Sequence, residues 1–298
     1  MITFPKCNKI QIESTNVCNF NCQMCPRIVM KRPLKHMKIT TYQKVISNIG
    51  RIKHIDLTGW GEPLTNPDIF KMVYLARKIA PNVSFTTNAS LLQKNNAKKL
   101  AQSGITSLSV SLDSIDGSAT LGHESSDALK NLQQLKKSYP RIEIKIQTTY
   151  IGQSVTTLEK IIKYALKIQA SEIRLIRFDQ RYSSQEVEIL DEKEVFYRLK
   201  KKWGRRIKIT MAQYSVFSDW RDLPYLFAQR LAPKLCPKLI FSANVNVDGY
   251  LTPCCSLPEY RITDLKKNTL SSAWSSNKFK NFRKNYLTHC GNCEVLTR

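Results

Sequence analysis

Regular alternation of strand and helix patterns is the feature that most constrains the fold of this chain. Six strand patterns are separated by five helix patterns, and this order predicts a parallel sheet with right-handed crossovers. The strands are predicted at Ile10–Glu13, His54–Thr58, Val83–Asn88, Ser107–Asp113, Ile142–Thr149 and Glu172–Phe178. The helices are predicted at Thr40–Ile49, Asp68–Ile79, Lys94–Ser103, Ser126–Ser138 and Thr157–Gln169.

Each predicted strand is apolar on one face and polar on the other, as in Ile144 and Ile146 against Lys145 and Gln147. Parallel strands that are buried on both faces are apolar throughout, and a closed eight-stranded barrel fills its interior with apolar side chains. The alternation therefore predicts an α/β fold with a partial parallel (β/α)6 barrel around a polar ligand. An antiparallel sheet with one solvated face is the alternative, which the intervening helices disfavour.

The alternation ends near residue 178, which predicts three parts of the chain. Residues 1–180 form the barrel, residues 181–235 a connector, and residues 236–298 a small cysteine-rich domain. In the connector we expect a helix at Asp191–Trp203 and a strand at Arg206–Thr210. In the last part we expect a hairpin with an Asp-Gly turn at Val245–Leu251 and a helix at Leu270–Tyr286.

Charge and cysteine content narrow the choice of partners and compartment. The net charge is +24, but the basic residues are spread along the chain without an interleaved aromatic motif. We therefore expect no nucleic-acid partner, and we interpret the charge as solvated helix faces with some steering of an acidic partner. The chain shows no secretory signal and no apolar run near the ~18 residues of a membrane span. We expect a cytoplasmic protein, in which nine cysteines indicate metal ligands rather than disulfides.

Three of these cysteines, Cys18, Cys22 and Cys25, lie in one short loop after the first predicted strand. Three thiolates can each hold one iron of a [4Fe–4S] cluster, which leaves the fourth iron open for another ligand. A structural zinc site needs four ligands, and the loop provides three.

The other cysteine group lies at the end of the chain and comprises Cys236, Cys254, Cys255, Cys290 and Cys293. The predicted hairpin brings Cys236 and Cys254 together, and the helix after it carries the Cys290–Cys293 pair. Four thiolates close a metal site completely, and zinc and an iron–sulfur cluster satisfy this geometry equally well.

The cysteine loop and the segment Thr58–Leu64 together resemble the radical S-adenosylmethionine (SAM) superfamily. The resemblance implies a [4Fe–4S] cluster that binds SAM and a reductive cleavage of SAM to a 5′-deoxyadenosyl radical. The segment contains Gly59, Trp60, Gly61 and Glu62, with Trp60 where many members have glycine. The remaining SAM-site residues that we predict are Met24, Asn88, Ser111, Asp113 and Gln147.

The cysteine-rich end resembles the SPASM/Twitch extension of the same superfamily. This resemblance favours an auxiliary [4Fe–4S] cluster over zinc. We expect its ligands to be Cys236, Cys254, Cys290 and Cys293, with Cys254 preferred to Cys255 from the family pattern.

A closed auxiliary cluster can accept an electron, which favours the two-electron oxidation of a small polar substrate such as a sugar or aminocyclitol. A peptide maturase is the alternative, although we expect no room for a peptide-recognition domain before Cys18. A non-catalytic iron–sulfur or zinc protein that binds nucleic acid is less favoured. Lys145 and Arg174 are the predicted substrate residues, unless Glu143 and Glu172 neutralise them. A flavodoxin- or ferredoxin-like protein is the expected electron donor.

Overall fold

The computed structural model describes residues 7–116, 122–123, 125–178, 192–211, 236–290 and 293. Most of the predicted connector, residues 181–191 and 212–235, lies outside these ranges. Within them, one sheet of ten strands runs in the order β10-β9-β8-β1-β2-β3-β4-β5-β6-β7. Its strands are β1 (Lys9–Ile12), β2 (His54–Asp56), β3 (Asn82–Thr87), β4 (Ser107–Ser111), β5 (Glu143–Tyr150), β6 (Glu172–Arg177), β7 (Lys208–Met211), β8 (Ser242–Val245), β9 (Tyr250–Thr252) and β10 (Thr263–Asp264).

Strands β1 to β7 pair in parallel with their neighbours along the chain, and the predicted parallel α/β fold is confirmed. The alternating polarity of the sequence corresponds to alternating burial. Ile144 and Ile146 of β5 are fully buried, while Lys145 and Gln147, which alternate with them, are only half-buried. The apolar side chains pack under the helices, and the polar ones face the inner side of an open sheet.

Helices connect the strands and cover the apolar face. They are α1 (Ile39–Ser47), α2 (Ile69–Arg77), α3 (Lys94–Ser103), α4 (Ser126–Ser138), α5 (Val155–Lys167), α6 (Glu192–Trp203), α7 (Pro237–Phe241), α8 (Leu270–Trp274), α9 (Asn277–Asn285) and α10 (Leu287–Cys290). Helix α5 begins where Ser154 Oγ accepts a hydrogen bond from the Thr157 N–H, at 3.2 Å. It buries a stripe that includes Leu158 and Ile161, and each such side chain contributes about 1.5–3 kcal/mol. None of the helices in the described ranges combines the length and apolar character needed to cross a bilayer.

The cysteine-rich end continues the sheet of the barrel. Strand β8 pairs in parallel with β1, and β8 and β9 form the predicted hairpin. Gly249 in the turn has φ +84°, a conformation that favours glycine, and its N–H donates to the Asn246 carbonyl at 2.9 Å. The predicted helix Leu270–Tyr286 is wrong in one respect. It divides into α8 and α9, because Ser276 interrupts it and caps α9 by accepting from the Phe279 N–H at 3.3 Å.

Candidate active site

A cavity of about 380 Å³ lies at the carboxyl ends of the parallel strands. Parallel α/β sheets usually bind ligands at this edge. Among the described residues, the lining includes the cysteine loop, the glycine segment after β2, polar ends of β3 to β6 and two cysteines from the end of the chain. All nine predicted SAM-site residues are part of it: Met24, Gly59, Trp60, Gly61, Glu62, Asn88, Ser111, Asp113 and Gln147.

The cysteine loop is folded tightly against this cavity. The Cys25 N–H donates to the Cys22 carbonyl at 3.0 Å, and the Arg27 guanidinium donates to the Phe20 carbonyl at 2.7 Å. Cys18, Cys22 and Cys25 all line the cavity. The loop is therefore held as a compact turn, with its three thiols on one concave surface.

The three thiols also affect one another electrostatically. Burial, and then the neighbouring Cys25 and Cys18, raise the pKa of Cys22 to about 12. In the described part of the chain, no three His, Cys, Asp or Glu side chains are grouped like the ligands of one metal ion. A [4Fe–4S] cluster does not require that grouping, because each thiolate binds a different iron. Three thiols that line one cavity, with no fourth ligand grouped with them among the described residues, thus fit a cluster that has one open iron.

Glycine is needed at two positions of the segment after β2. A Cβ atom on Gly59 would overlap Glu13 and the Thr15 carbonyl, and one on Gly61 would overlap the Val17 carbonyl. The backbone hydrogen bond from Glu62 N–H to the Val17 carbonyl, at 2.9 Å, fixes this approach. These glycines therefore dock the segment onto the chain that leads into the cysteine loop.

Glu62 is bound almost entirely by the protein itself. Its carboxylate accepts hydrogen bonds from the Thr87 hydroxyl at 2.7 Å, the Asn88 N–H at 2.8 Å and the Leu64 N–H at 3.1 Å. Burial raises the pKa of Glu62 to about 7, and these hydrogen bonds oppose the rise. Glu62 thus connects the ends of β2 and β3, and Asn88 extends the connection by donating to Asn19 Oδ1 at 3.0 Å.

His123 is a site residue that the sequence did not reveal. Its Nδ1 lies 2.8 Å from Asp113 Oδ2, its side chain is 3% exposed, and it lines the cavity. Its Nε2 is buried and has no hydrogen-bond partner among the residues that the structure describes. His123 follows Asp113 by ten residues with no recognisable spacing, so only the folded loop brings the two together.

Two cysteines from the end of the chain, Cys255 and Cys293, line the same cavity. The Trp60 indole Nε1 donates to the Cys255 carbonyl at 2.7 Å and holds this turn against the glycine segment. Cys236 and Cys290 lie around Tyr286, where burial and then both thiols raise the pKa of the phenol. Cys254 is not among the described lining residues of the cavity.

The structure does not bring Lys145 and Arg174 to the cavity. Lys145 lies 3.4 Å from Glu143, and Arg174 lies 3.3 Å from Glu172, so each cation is neutralised on its own strand. Neither is among the described lining residues, although Arg174 pairs in register with Gln147, which does line the cavity. Arg177, at the end of β6, lines the cavity instead and pairs with the buried Glu192 at 2.9 Å. Lys145 and Arg174 therefore stay predicted substrate residues that the described lining does not support.

Comparison with known proteins identifies the class of protein. Residues 12–165 match the Radical SAM superfamily, which is more than half of the 298 residues, and the chain belongs to this superfamily. Residues 236–294 match the SPASM domain, an iron-sulfur cluster-binding domain. This protein is a radical SAM enzyme with a C-terminal SPASM domain. Its cofactors are [4Fe–4S] clusters and SAM, as the sequence predicted.

Individual relatives are more distant. The chain is 28% identical over 203 residues to the GTP 3′,8-cyclase of Sulfurimonas denitrificans, which covers 64% of this chain and 62% of that protein. Streptococcus suis SuiB, solved with its precursor peptide SuiA, has a TM-score of 0.75 at 14% identity over 93% of this chain and 66% of its own. BtrN, solved with AdoMet and 2-DOIA, has a TM-score of 0.52 at 15% identity, and the match covers 99% of this chain and 94% of BtrN. These two likenesses show the fold.

Proposed function

We propose that this enzyme uses SAM to remove hydrogen from a small polar substrate, in a two-electron oxidation such as that of an alcohol to a ketone. The observation that carries the proposal is the shared cavity. Cys18, Cys22 and Cys25 line it, and Cys255 and Cys293 from the end of the chain line it as well. A substrate in this space would lie near both the cysteine loop and the SPASM domain.

The residues take separate roles in this proposal. Cys18, Cys22 and Cys25 hold the cluster that binds SAM, and Cys236, Cys254, Cys290 and Cys293 hold the auxiliary cluster. When bound, the first cluster with SAM supplies a carbon radical that takes a hydrogen atom, and the second supplies an acceptor for one electron. The SAM pocket consists of Met24, Gly59, Trp60, Gly61, Glu62, Asn88, Ser111, Asp113 and Gln147.

The charge of the lining favours a neutral or amino-bearing substrate. Among the described lining residues, Arg177 is the one Lys or Arg, and Glu192 pairs with it. Two acidic side chains, Glu62 and Asp113, also line this space, and hydrogen bonds within the protein hold both of them. Hydroxyl and amide groups of Thr86, Gln147 and Thr149 provide further hydrogen-bonding partners. This lining suits a sugar or aminocyclitol better than an anion.

A purine nucleotide is the substrate that the names of the sequence relatives suggest. A triphosphate carries several negative charges, and binding it requires several cations. The described lining provides one guanidinium that is already paired, which disfavours GTP. A peptide, the substrate class suggested by the SuiB complex, is the second candidate, because the fold is shared over nearly the whole of this chain.

The experiment uses anaerobically reconstituted protein, SAM, dithionite and a panel of C-deuterated amino sugars, aminocyclitols, GTP and short peptides. We expect deuterium to move from one amino sugar or aminocyclitol into 5′-deoxyadenosine, with one ketone formed for each deuterium transferred. The control is the triple variant Cys18→Ala, Cys22→Ala, Cys25→Ala, which should not cleave SAM. Transfer from a peptide or from GTP alone would replace this proposal, and SAM cleavage by the triple variant would refute it.

A further inference from the structure

The segment that follows Cys25 carries three exposed apolar side chains, which we call the apolar patch. It consists of Ile28, Val29 and Leu34, which are 46%, 51% and 57% exposed. Ile28 and Val29 belong to a 3₁₀ turn, Pro26–Val29, that buries none of its residues. The Ile28 N–H donates to the Cys25 carbonyl at 3.1 Å, so the patch begins within one turn of the third cysteine.

The chain around this patch is uniformly basic. From Ser14 to Ile55 it contains no Asp or Glu, and it contains eight Lys or Arg: Arg27, Lys31, Arg32, Lys35, Lys38, Lys44, Arg51 and Lys53. Carboxylates from elsewhere neutralise only some of these. Arg32 pairs with Glu13, and Lys35 pairs with Asp248. Lys31 and Lys38 are exposed and pair with no carboxylate in the described residues.

Hydrogen bonds hold the backbone on both sides of Leu34 to the protein. Asn16 Nδ2 donates to the Pro33 carbonyl at 2.9 Å, and the Lys35 N–H donates to Asn16 Oδ1 at 2.6 Å. His36 bridges to Thr15 through a 2.8 Å hydrogen bond. An apolar centre with a basic rim on a preformed backbone is the composition of a protein docking surface.

We infer that this patch, Ile28, Val29 and Leu34 with the rim cations Lys31 and Lys38, docks a small acidic electron-carrier protein of the flavodoxin or ferredoxin class. The inference rests on the proposed function, because that reaction needs one electron delivered to the cluster in the cysteine loop. Electron transfer slows steeply with distance, so the carrier must bind close to Cys25. The net charge of +24 attracts an acidic protein at long range, and the apolar centre supports close contact.

The test measures the rate at which a reduced bacterial flavodoxin bleaches the cluster absorbance of the holoenzyme, without SAM or substrate. The variants are Lys31→Glu/Lys38→Glu and, separately, Leu34→Ser. The matched control is Lys98→Glu/Lys137→Glu, which reverses two exposed lysines on α3 and α4 with the same change of net charge. At low ionic strength, we expect flavodoxin to reduce the cluster of Lys31→Glu/Lys38→Glu about tenfold more slowly than that of the wild type. We expect the control variant to slow this reduction by less than about twofold. Added salt should slow the wild-type reaction and remove most of this difference.

Dithionite reduction separates docking from cluster damage and from the proposed function. All variants should be reduced by dithionite at the wild-type rate and should then cleave SAM equally. If dithionite-reduced wild type cleaved no SAM, the proposed function would fail, while flavodoxin reduction would still decide the docking surface. Equal slowing of the rim and control variants would overturn the inference. The inference would also be overturned if neither a flavodoxin nor a ferredoxin reduced the wild type. A wild-type dimer that Leu34→Ser dissociates would overturn it too, because the patch would then bind a second copy of this chain.

Discussion

His123 Nδ1 and Asp113 Oδ2 lie 2.8 Å apart in the wall of the cavity, and both side chains are almost completely buried. Asp113 is held in place because its other oxygen accepts from the Thr149 N–H at 2.7 Å. The pair fixes the imidazole ring and leaves its Nε2 buried with no partner in the described chain. A buried polar atom without a partner costs about 1–3 kcal/mol, and a bound ligand can supply the missing hydrogen bond.

We therefore predict that His123→Ala weakens SAM binding about 5- to 30-fold, which corresponds to about 1–2 kcal/mol. Equilibrium dialysis of SAM against reconstituted protein measures the effect, and iron content should be unchanged. The control is His36→Ala, because His36 lies on the Thr15 side of the loop and does not line the cavity. Unchanged SAM affinity in His123→Ala would remove this residue from the pocket.

Glu62 should make stability depend on pH. Because its pKa is raised from 4.5 to about 7 in the folded protein, its neutral form is favoured there, and stability is lost as pH rises through this window. Between these two pKa values, the free energy of unfolding should fall by up to about 1.4 kcal/mol per pH unit. Denaturant unfolding of wild type and Glu62→Gln between pH 4.5 and 7.5 checks this. The variant should lack that part of the slope, whatever its absolute stability. Parallel curves would contradict the assignment.

Trp60→Phe should uncouple SAM cleavage from substrate oxidation. It removes the indole N–H that donates to the Cys255 carbonyl, a loss of about 1 kcal/mol, and leaves the Cys254–Cys255 turn less well held. We expect more 5′-deoxyadenosine per molecule of product and a changed electron paramagnetic resonance signal from the auxiliary cluster. Trp203→Phe is the matched control, because its indole N–H donates to Glu159 at 3.2 Å on the outside of the barrel. Tight coupling in Trp60→Phe would show that the contact is dispensable.

Cys254 and Cys255 should differ in their effect on the auxiliary cluster. We predict that Cys254→Ala lowers iron content and melting temperature, because metal binding and folding of this region are linked. Cys255→Ala should keep the iron, since the pattern of the SPASM/Twitch extension favours Cys254 as the ligand. Iron analysis of the two variants, each with intact Cys18, Cys22 and Cys25, decides between them, and the opposite result would exchange the two assignments.

Several features of the fold could be predicted because they depend on local patterns. The order of strands and helices follows from periodicity, and the turn at Asp248-Gly249 follows from residue types that adopt its backbone conformation. The polar ends of β3 and β4 could be assigned to one edge because parallel strands all end on the same side of a sheet. That rule, applied strictly to β6, selects Arg177 at the strand end rather than Arg174 in its middle.

The sequence by itself determined the strand–helix order, the two cysteine groups and the glycine segment after β2, because each is written in neighbouring residues. Only the tertiary structure decided that β8 pairs with β1, which joins the cysteine-rich end to the barrel in one sheet. It also decided that His123 pairs with Asp113 and that Trp60 contacts Cys255, 195 residues further along the chain. Such contacts depend on how distant segments pack, and no local periodicity or spacing encodes them.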